Sequence, residues 1–159
     1  MTGEDAEVDG VDQLYELEPG QFVAARDRLA RELRAAGDRE AATAVKRLRR
    51  PTLVAWALNQ VARAHGEEVA ELLDAGAAVG RAQAQAMSGG ASGELRAATR
   101  RRRELASTLA RAAADLAGAT HHDEAVATLD AASFDPEVAE LLRRGRLTRE
   151  LPPPSGFGM

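Results

Sequence analysis

Apolar residues recur at three- and four-residue spacing along nearly the whole chain, and alanine fills many of those positions, supplying 35 of the 159 residues. This spacing aligns side chains on one face of a helix. Alanine also has the highest helix propensity and only a methyl group to pack. Helices built this way form readily and approach closely, but each contact buries little apolar area. Stability must therefore come from many close helix contacts or from a partner. No β-branched alternation and no hairpin dipeptide occurs, so no sheet is expected. The fold class that follows is all-α: an antiparallel bundle of five to six helices in one domain, with a long central helical hairpin and disordered termini.

Along the chain, residues 1–10 read as a disordered acidic tail, residues 11–145 as the helical domain, and residues 146–159 as an extended, mobile tail rich in Pro and Gly. Residues 11–17 suit a short helix or turn. Pro19 suits the first position of a long helix, whose stripe is Phe22, Ala25, Leu29, Leu33 and Ala36. Asp38 can cap a second helix through residue 49, ended by Pro51. Thr52 can cap a third, whose stripe continues to residue 86, with a bend or break near Gly66. Residues 88–93 (SGGASG) form the clearest loop. Residues 94–118 return antiparallel, placing Leu72 near Leu109 and Gly76 near Leu105. Two shorter helices follow, the second opened by Asp135 and Pro136.

The chain contains no cysteine, which removes disulfides, thiolate metal sites and a cysteine nucleophile. Residues 1–18 hold seven acids, no base and no hydrophobic core segment, so no signal peptide is visible. The longest apolar run, residues 53–58, is far short of a membrane span. The expected location is cytoplasmic, with no membrane association. Arginine outnumbers lysine twenty to one, and the net charge is −4. That charge is uneven: residues 1–18 carry −7, residues 19–51 carry +5 and residues 94–119 carry +3.

No catalytic, cofactor-binding or metal site emerges. SGGASG has the composition of a phosphate loop but neither a GK[ST] ending nor a preceding strand. His121, His122, Asp123 and Glu124 look ligand-rich, yet consecutive helical residues point about 100° apart and do not converge on one ion. They suit the N-terminal end of a helix instead. His65 falls on an apolar stripe and reads as a core or bend-associated histidine rather than a base. The expectation is a non-enzyme without a cofactor.

Three features remain. Lys46, Arg47, Arg49 and Arg50 end the second helix, and Arg100, Arg101, Arg102 and Arg103 encircle the fourth. Three of these last four must face solvent or a partner, while Arg102 falls on the seam and either needs a carboxylate or must snorkel. Arg49-Arg50-Pro51-Thr52 matches the preference of arginine-directed kinases, although Thr52 also serves as a plain helix cap. Trp56, Asn59, Gln60 and Arg63 share one helical face. Either they form a recognition surface, since Trp and Arg dominate binding hot spots, or Trp56 fills the core and the amides satisfy buried backbone.

Residues 14–63 carry FVAARD at 22–27, AAGDRE at 35–40 and a KRLRRPTLVAWALNQ segment at 46–60. Together with GRLTREL at 145–151, this block resembles an uncharacterised actinobacterial family of alanine- and arginine-rich helical proteins. The resemblance implies helical architecture and a cytoplasmic origin, and it brings no activity, cofactor or catalytic residue. The functional expectation is a helical protein–protein interaction protein, scaffold or regulatory subunit, with self-association included. The alternative is a DNA-binding regulator using residues 38–64 as a helix-turn-helix, with Asn59, Gln60 and Arg63 reading bases. A pI of 5.5 and the single nearby aromatic, Trp56, weigh against nucleic acid.

Overall fold

The computed structural model describes residues 8, 10–90 and 92–152. Among them lie eight α-helices and no strand: α1 (Val11–Glu16), α2 (Pro19–Ala35), α3 (Arg39–Lys46), α4 (Leu53–Ala64), α5 (Gly66–Met87), α6 (Gly93–Ala117), α7 (His122–Phe134) and α8 (Pro136–Arg143). A single 3₁₀ turn (Ala119–His121) joins α6 to α7. No helix among the described residues is long and apolar enough to cross a membrane. The expected disorder of residues 1–10 and of the Pro/Gly tail falls mostly on residues 1–7, 9 and 153–159, which lie outside the described residues.

Helix starts follow local chemistry. Asp38 accepts from the Ala41 N–H at 3.1 Å, Thr52 from Ala55 N–H at 3.2 Å and Asp135 from Glu137 N–H at 2.9 Å. Each bond satisfies a donor that the first turn leaves without a partner. Pro19 and Pro136 open α2 and α8, where a missing N–H costs nothing.

The expected break near Gly66 is present, and two expectations shift, the number of helices and the end of the second one. The third helix divides: His65 leaves the helical region (φ −124°, ψ 47°), so α4 ends at Ala64 and α5 begins at Gly66. This division, with a full α1, raises the number of helices above the five or six expected. α3 also stops at Lys46 rather than continuing to residue 49. The Leu48 carbonyl instead accepts from the Arg26 guanidinium of α2 at 3.0 Å, and Pro51 disfavours a helical residue before it.

Two apolar clusters result. Val11, Leu14, Tyr15, Phe22, Ala30 and Val45 unite α1, α2 and α3, with the Tyr15 and Phe22 rings edge-on at 5.4 Å. The larger cluster, including Leu58, Leu72, Leu109, Leu129 and Leu142, unites α4 to α8. α6 is its hub and packs on α4, α5 and α7. Its buried positions are mostly alanine (Ala106, Ala110, Ala113 and Ala114), so three neighbours can approach one helix. α1 joins the two clusters by packing on both α2 and α4.

Residues 146–151 have no helix, as expected, but they are not a free tail. Arg146 and Leu147 are buried, and Leu147 belongs to the larger core. The boundary expected after residue 145 therefore moves outward, because this strap supplies core and hydrogen bonds.

Gly76 of α5, expected opposite α6, also approaches the backbone of α7. A Cβ there would lie 2.1 Å from the Ser133 carbonyl oxygen of α7, whereas one at Gly80 meets nothing within 4 Å. The two glycines of one helix should thus respond oppositely to alanine. Gly76→Ala is expected to lower stability by about 1–3 kcal/mol through overpacking. Gly80→Ala is expected to raise it by about 0.5–1 kcal/mol through helix propensity. Urea unfolding of both variants checks the pair, and equal effects would contradict the close α5–α7 approach.

Candidate interaction faces on α4 and α6

The small buried residues Ala55, Ala57 and Ala62 let α4 pack closely among α1, α5, α6, α7 and α8, and its polar face turns inward. Asn59 is 0% exposed. Its amide N–H donates to the Leu147 carbonyl at 3.0 Å, and its amide oxygen accepts from the Leu147 N–H at 2.9 Å. One side chain thus imitates a strand partner for the strap. Gln60 donates to the Tyr15 carbonyl at 2.9 Å and to the Trp56 carbonyl at 3.3 Å. Arg63 donates to the carbonyls of Tyr15 (3.3 Å), Asp12 (3.4 Å) and Gly145 (3.2 Å). Burial pushes its pKa below the usual arginine value, and nearby Glu16 and Asp12 oppose that shift. The guanidinium nevertheless stays charged.

Gln60 and Arg63 therefore hold carbonyls at the C-terminal ends of α1 and α8, where the last carbonyls have no helical partner. Gly145 makes this possible. Its φ is +67°, and a Cβ there would fall 3.0 Å from the Arg63 guanidinium carbon, so glycine is required both for the turn and for the contact. Trp56, the fourth member of the face, is half-buried against the larger core. Its indole N–H is buried without an acceptor among the described residues.

The strap contributes partners that sequence reasoning missed. Arg146 donates to Asp12 through Nε (3.1 Å) and a terminal nitrogen (2.7 Å) and lies over the Tyr15 ring at 5.7 Å. The Thr52 hydroxyl donates to Glu150 at 2.5 Å, the Thr52 N–H donates to the Thr148 carbonyl at 3.0 Å, and the Leu151 N–H donates to the Thr128 hydroxyl at 2.8 Å. The signal in the sequence is the pair Leu147 and Leu151, two apolar residues four apart in a segment otherwise polar or rich in proline.

The basic residues separate into paired and free groups. Arg102 is buried, as its seam position required. It pairs with Asp130 at 2.5 Å and lies 5.0 Å from the Phe134 ring centroid. Arg101 pairs with Glu71 of α5 at 2.6 Å. Lys46 and Arg26 both pair with Asp27 at 2.9 Å, which ties α3 to α2. Arg47, Arg49 and Arg50 are exposed and form no ion pair among the described residues.

Arg100 and Arg103 are exposed and equally without a carboxylate among the described residues. They join Arg96 and Arg111 along an open groove of about 650 Å³ whose lining comes from α6. Helical rotation places these four arginines within an arc of about 80° over about 22 Å. Glu104, at the edge of the groove, is the one carboxylate in its lining. Arg96 was legible as four and seven residues before Arg100 and Arg103, and Arg111 as eight and eleven residues after Arg103 and Arg100, all spacings that return to one helical face. The histidines meet nearby acids: His121 lies 3.2 Å from Glu124, and His65 lies 3.9 Å from Glu68.

Removing the Asn59 amide leaves two buried backbone groups of Leu147 without partners. Asn59→Ala is expected to cost about 2–4 kcal/mol, from desolvation penalties of about 1–3 kcal/mol per buried group, and to deprotect the Leu147 amide in hydrogen exchange. An unchanged unfolding midpoint would sink this account of the strap.

Hydrogen bonds from Lys46 first, then from Arg26, hold the Asp27 carboxyl below its ordinary pKa. A lowered folded pKa contributes stability above the ordinary carboxylate value, and that contribution is lost as pH falls through the folded one. Asp27→Asn should therefore be less stable than the parent at pH 7, with the gap closing below about pH 4. Thermal melts of the two proteins at both pH values give the comparison.

Comparison with protein-family models, curated proteins and solved structures yields no match to this chain, so the actinobacterial resemblance rests on its own residues.

Proposed function

We propose that this is a non-enzymatic interaction protein, a scaffold or regulatory subunit, whose docking surface is the arginine stripe of α6 and whose partner is an acidic protein segment. The observation that carries the reading is the set of four guanidinium groups, Arg96, Arg100, Arg103 and Arg111, on one open face with only Glu104 among them. Neighbouring Arg101 and Arg102 have acidic partners within the chain. The stripe thus concentrates positive charge with no ion pair among the described residues, in a protein whose net charge is −4. An acidic segment with carboxylates at three- and four-residue spacing matches it, and guanidinium forks bind carboxylates in two-point geometry.

Trp56, Asn59, Gln60 and Arg63 support this reading less directly. Asn59, Gln60 and Arg63 already bond to the backbone of α1 and the strap, so they position the bundle that presents α6. The DNA-reading alternative draws no support from this arrangement. Asn59 is fully buried, and α3 packs on α2 rather than forming a recognition pair with α4. The groove lining contains no aromatic residue on which bases could stack.

Titrating the full chain with a fluorescent, glutamate-rich helical peptide of roughly 20 residues tests the proposal, since that length spans the stripe. Binding should weaken steeply between low and physiological salt. Arg100→Glu combined with Arg103→Glu should reduce affinity by about tenfold or more, that is, by at least about 1.4 kcal/mol. Binding of duplex DNA in place of the peptide, or peptide binding indifferent to charge reversal, would overturn it. A dimer in light scattering that is also broken by the reversal would identify a second copy as the occupant instead.

A further inference from the structure

We propose that Thr52 is a phosphorylation site for an arginine-directed serine/threonine kinase, and that phosphate there frees Glu150 from the cap of α4 and Leu151 from α7. This inference is independent of the α6 stripe. It rests on three observations that meet at one hydroxyl.

First, the residues that such a kinase reads are presented for reading. Arg50, Arg49 and Arg47 stand two, three and five positions before Thr52, all exposed and without an ion pair among the described residues. Residues 47–52 lie between α3 and α4, outside any helix, and the Thr52 residue itself is exposed. A kinase can therefore bind the arginines and draw the hydroxyl into line without melting a helix interior.

Second, the product is favoured where it forms. Thr52 caps the twelve-residue α4, and its oxygen already accepts from the Ala55 N–H at 3.2 Å. A phosphate at this place gains free backbone donors and the positive end of the helix dipole.

Third, the hydroxyl has an acidic neighbour. Thr52 Oγ1 donates its proton to Glu150 Oε2 at 2.5 Å, a contact made across 98 residues of sequence. In the transfer, Thr52 Oγ1 bonds to the γ-phosphorus of ATP as the bond to the bridging β,γ-oxygen breaks. ADP leaves, and the hydroxyl proton passes to the kinase base. Thr52 then has no proton to donate, and it carries nearly two negative charges at neutral pH. Attraction toward Glu150 becomes repulsion. The phosphate stays with the α4 amides, so Glu150 is the group that moves. The next tie, Leu151 N–H to the Thr128 hydroxyl at 2.8 Å, is one residue away and loosens with it. The Asn59–Leu147 pair and the Arg146–Asp12 pair lie farther along the strap and hold. The switch is local.

The experiment treats the full chain with ATP and an arginine-directed serine/threonine kinase, maps the phosphate by mass spectrometry and follows hydrogen exchange residue by residue. Incorporation should fall on Thr52. It should be lost in Thr52→Asn, which keeps a side-chain cap, and should drop sharply in Arg49→Ala combined with Arg50→Ala. Exchange at the Leu151 amide should rise at least about tenfold on phosphorylation while the Leu147 amide stays protected. In Glu150→Gln the phosphate should no longer accelerate exchange at Leu151, because the opposing charge is gone. Label on another residue, unchanged Leu151 exchange, or slower exchange caused by Arg149 closing on the phosphate would each overturn the proposal. Equal acceleration at Leu147 and Leu151 would also overturn it, since that pattern marks global loosening.

Discussion

The two hydrogen bonds between the Asn59 side chain and the Leu147 backbone are the interaction on which the rest of this structure depends. They satisfy a buried amide and a buried peptide unit together, and each would be costly alone. They also fix the path of the strap. With Leu147 seated in the core, Arg146 reaches Asp12 and Tyr15, Glu150 reaches Thr52, and Leu151 reaches Thr128. The strap thereby crosses α4 and touches α1, so the small cluster of α1–α3 is tied to the larger bundle. Gln60 and Arg63 reinforce the same joint from α4 by holding the carbonyls that end α1.

A bundle with so little aromatic content needs close approach to bury area, and α6 supplies it. Its buried alanines admit α4, α5 and α7 around one axis, and Gly76 lets α5 meet the backbone of α7. The same helix sorts its arginines by direction. Arg102 turns to Asp130 and Phe134, Arg101 turns to Glu71, and Arg100 and Arg103 turn outward with Arg96 and Arg111. Rotation of 100° per residue makes this sorting unavoidable for four consecutive arginines. The surface proposed for an acidic partner is thus the outer side of the helix that organises the core, a rigid platform rather than a loop.

Much of the fold was legible because it is locally encoded. The caps at Asp38, Thr52 and Asp135, the opening prolines, the hairpin of α5 and α6, and the seam position of Arg102 all depend on residues within a few turns or on a single helical rotation. The amide and arginine face of α4 was legible only as a set. Asn59, Gln60 and Arg63 were visibly aligned, and either a partner or buried backbone could have matched them. The strap was read as a tail because proline and glycine near it mask the two leucines that dock.

The sequence by itself determined where helices start, which faces are apolar and that Asn59, Gln60 and Arg63 point the same way, since all of these follow from spacing and from donors and acceptors within one turn. Only the tertiary structure decided what that face bonds to. A side-chain amide specifies the geometry of its partner but not its address. The Leu147 peptide unit lies 88 residues away from Asn59 and reaches it only after α5 through α8 have stacked and Gly145 has turned the chain back across α4.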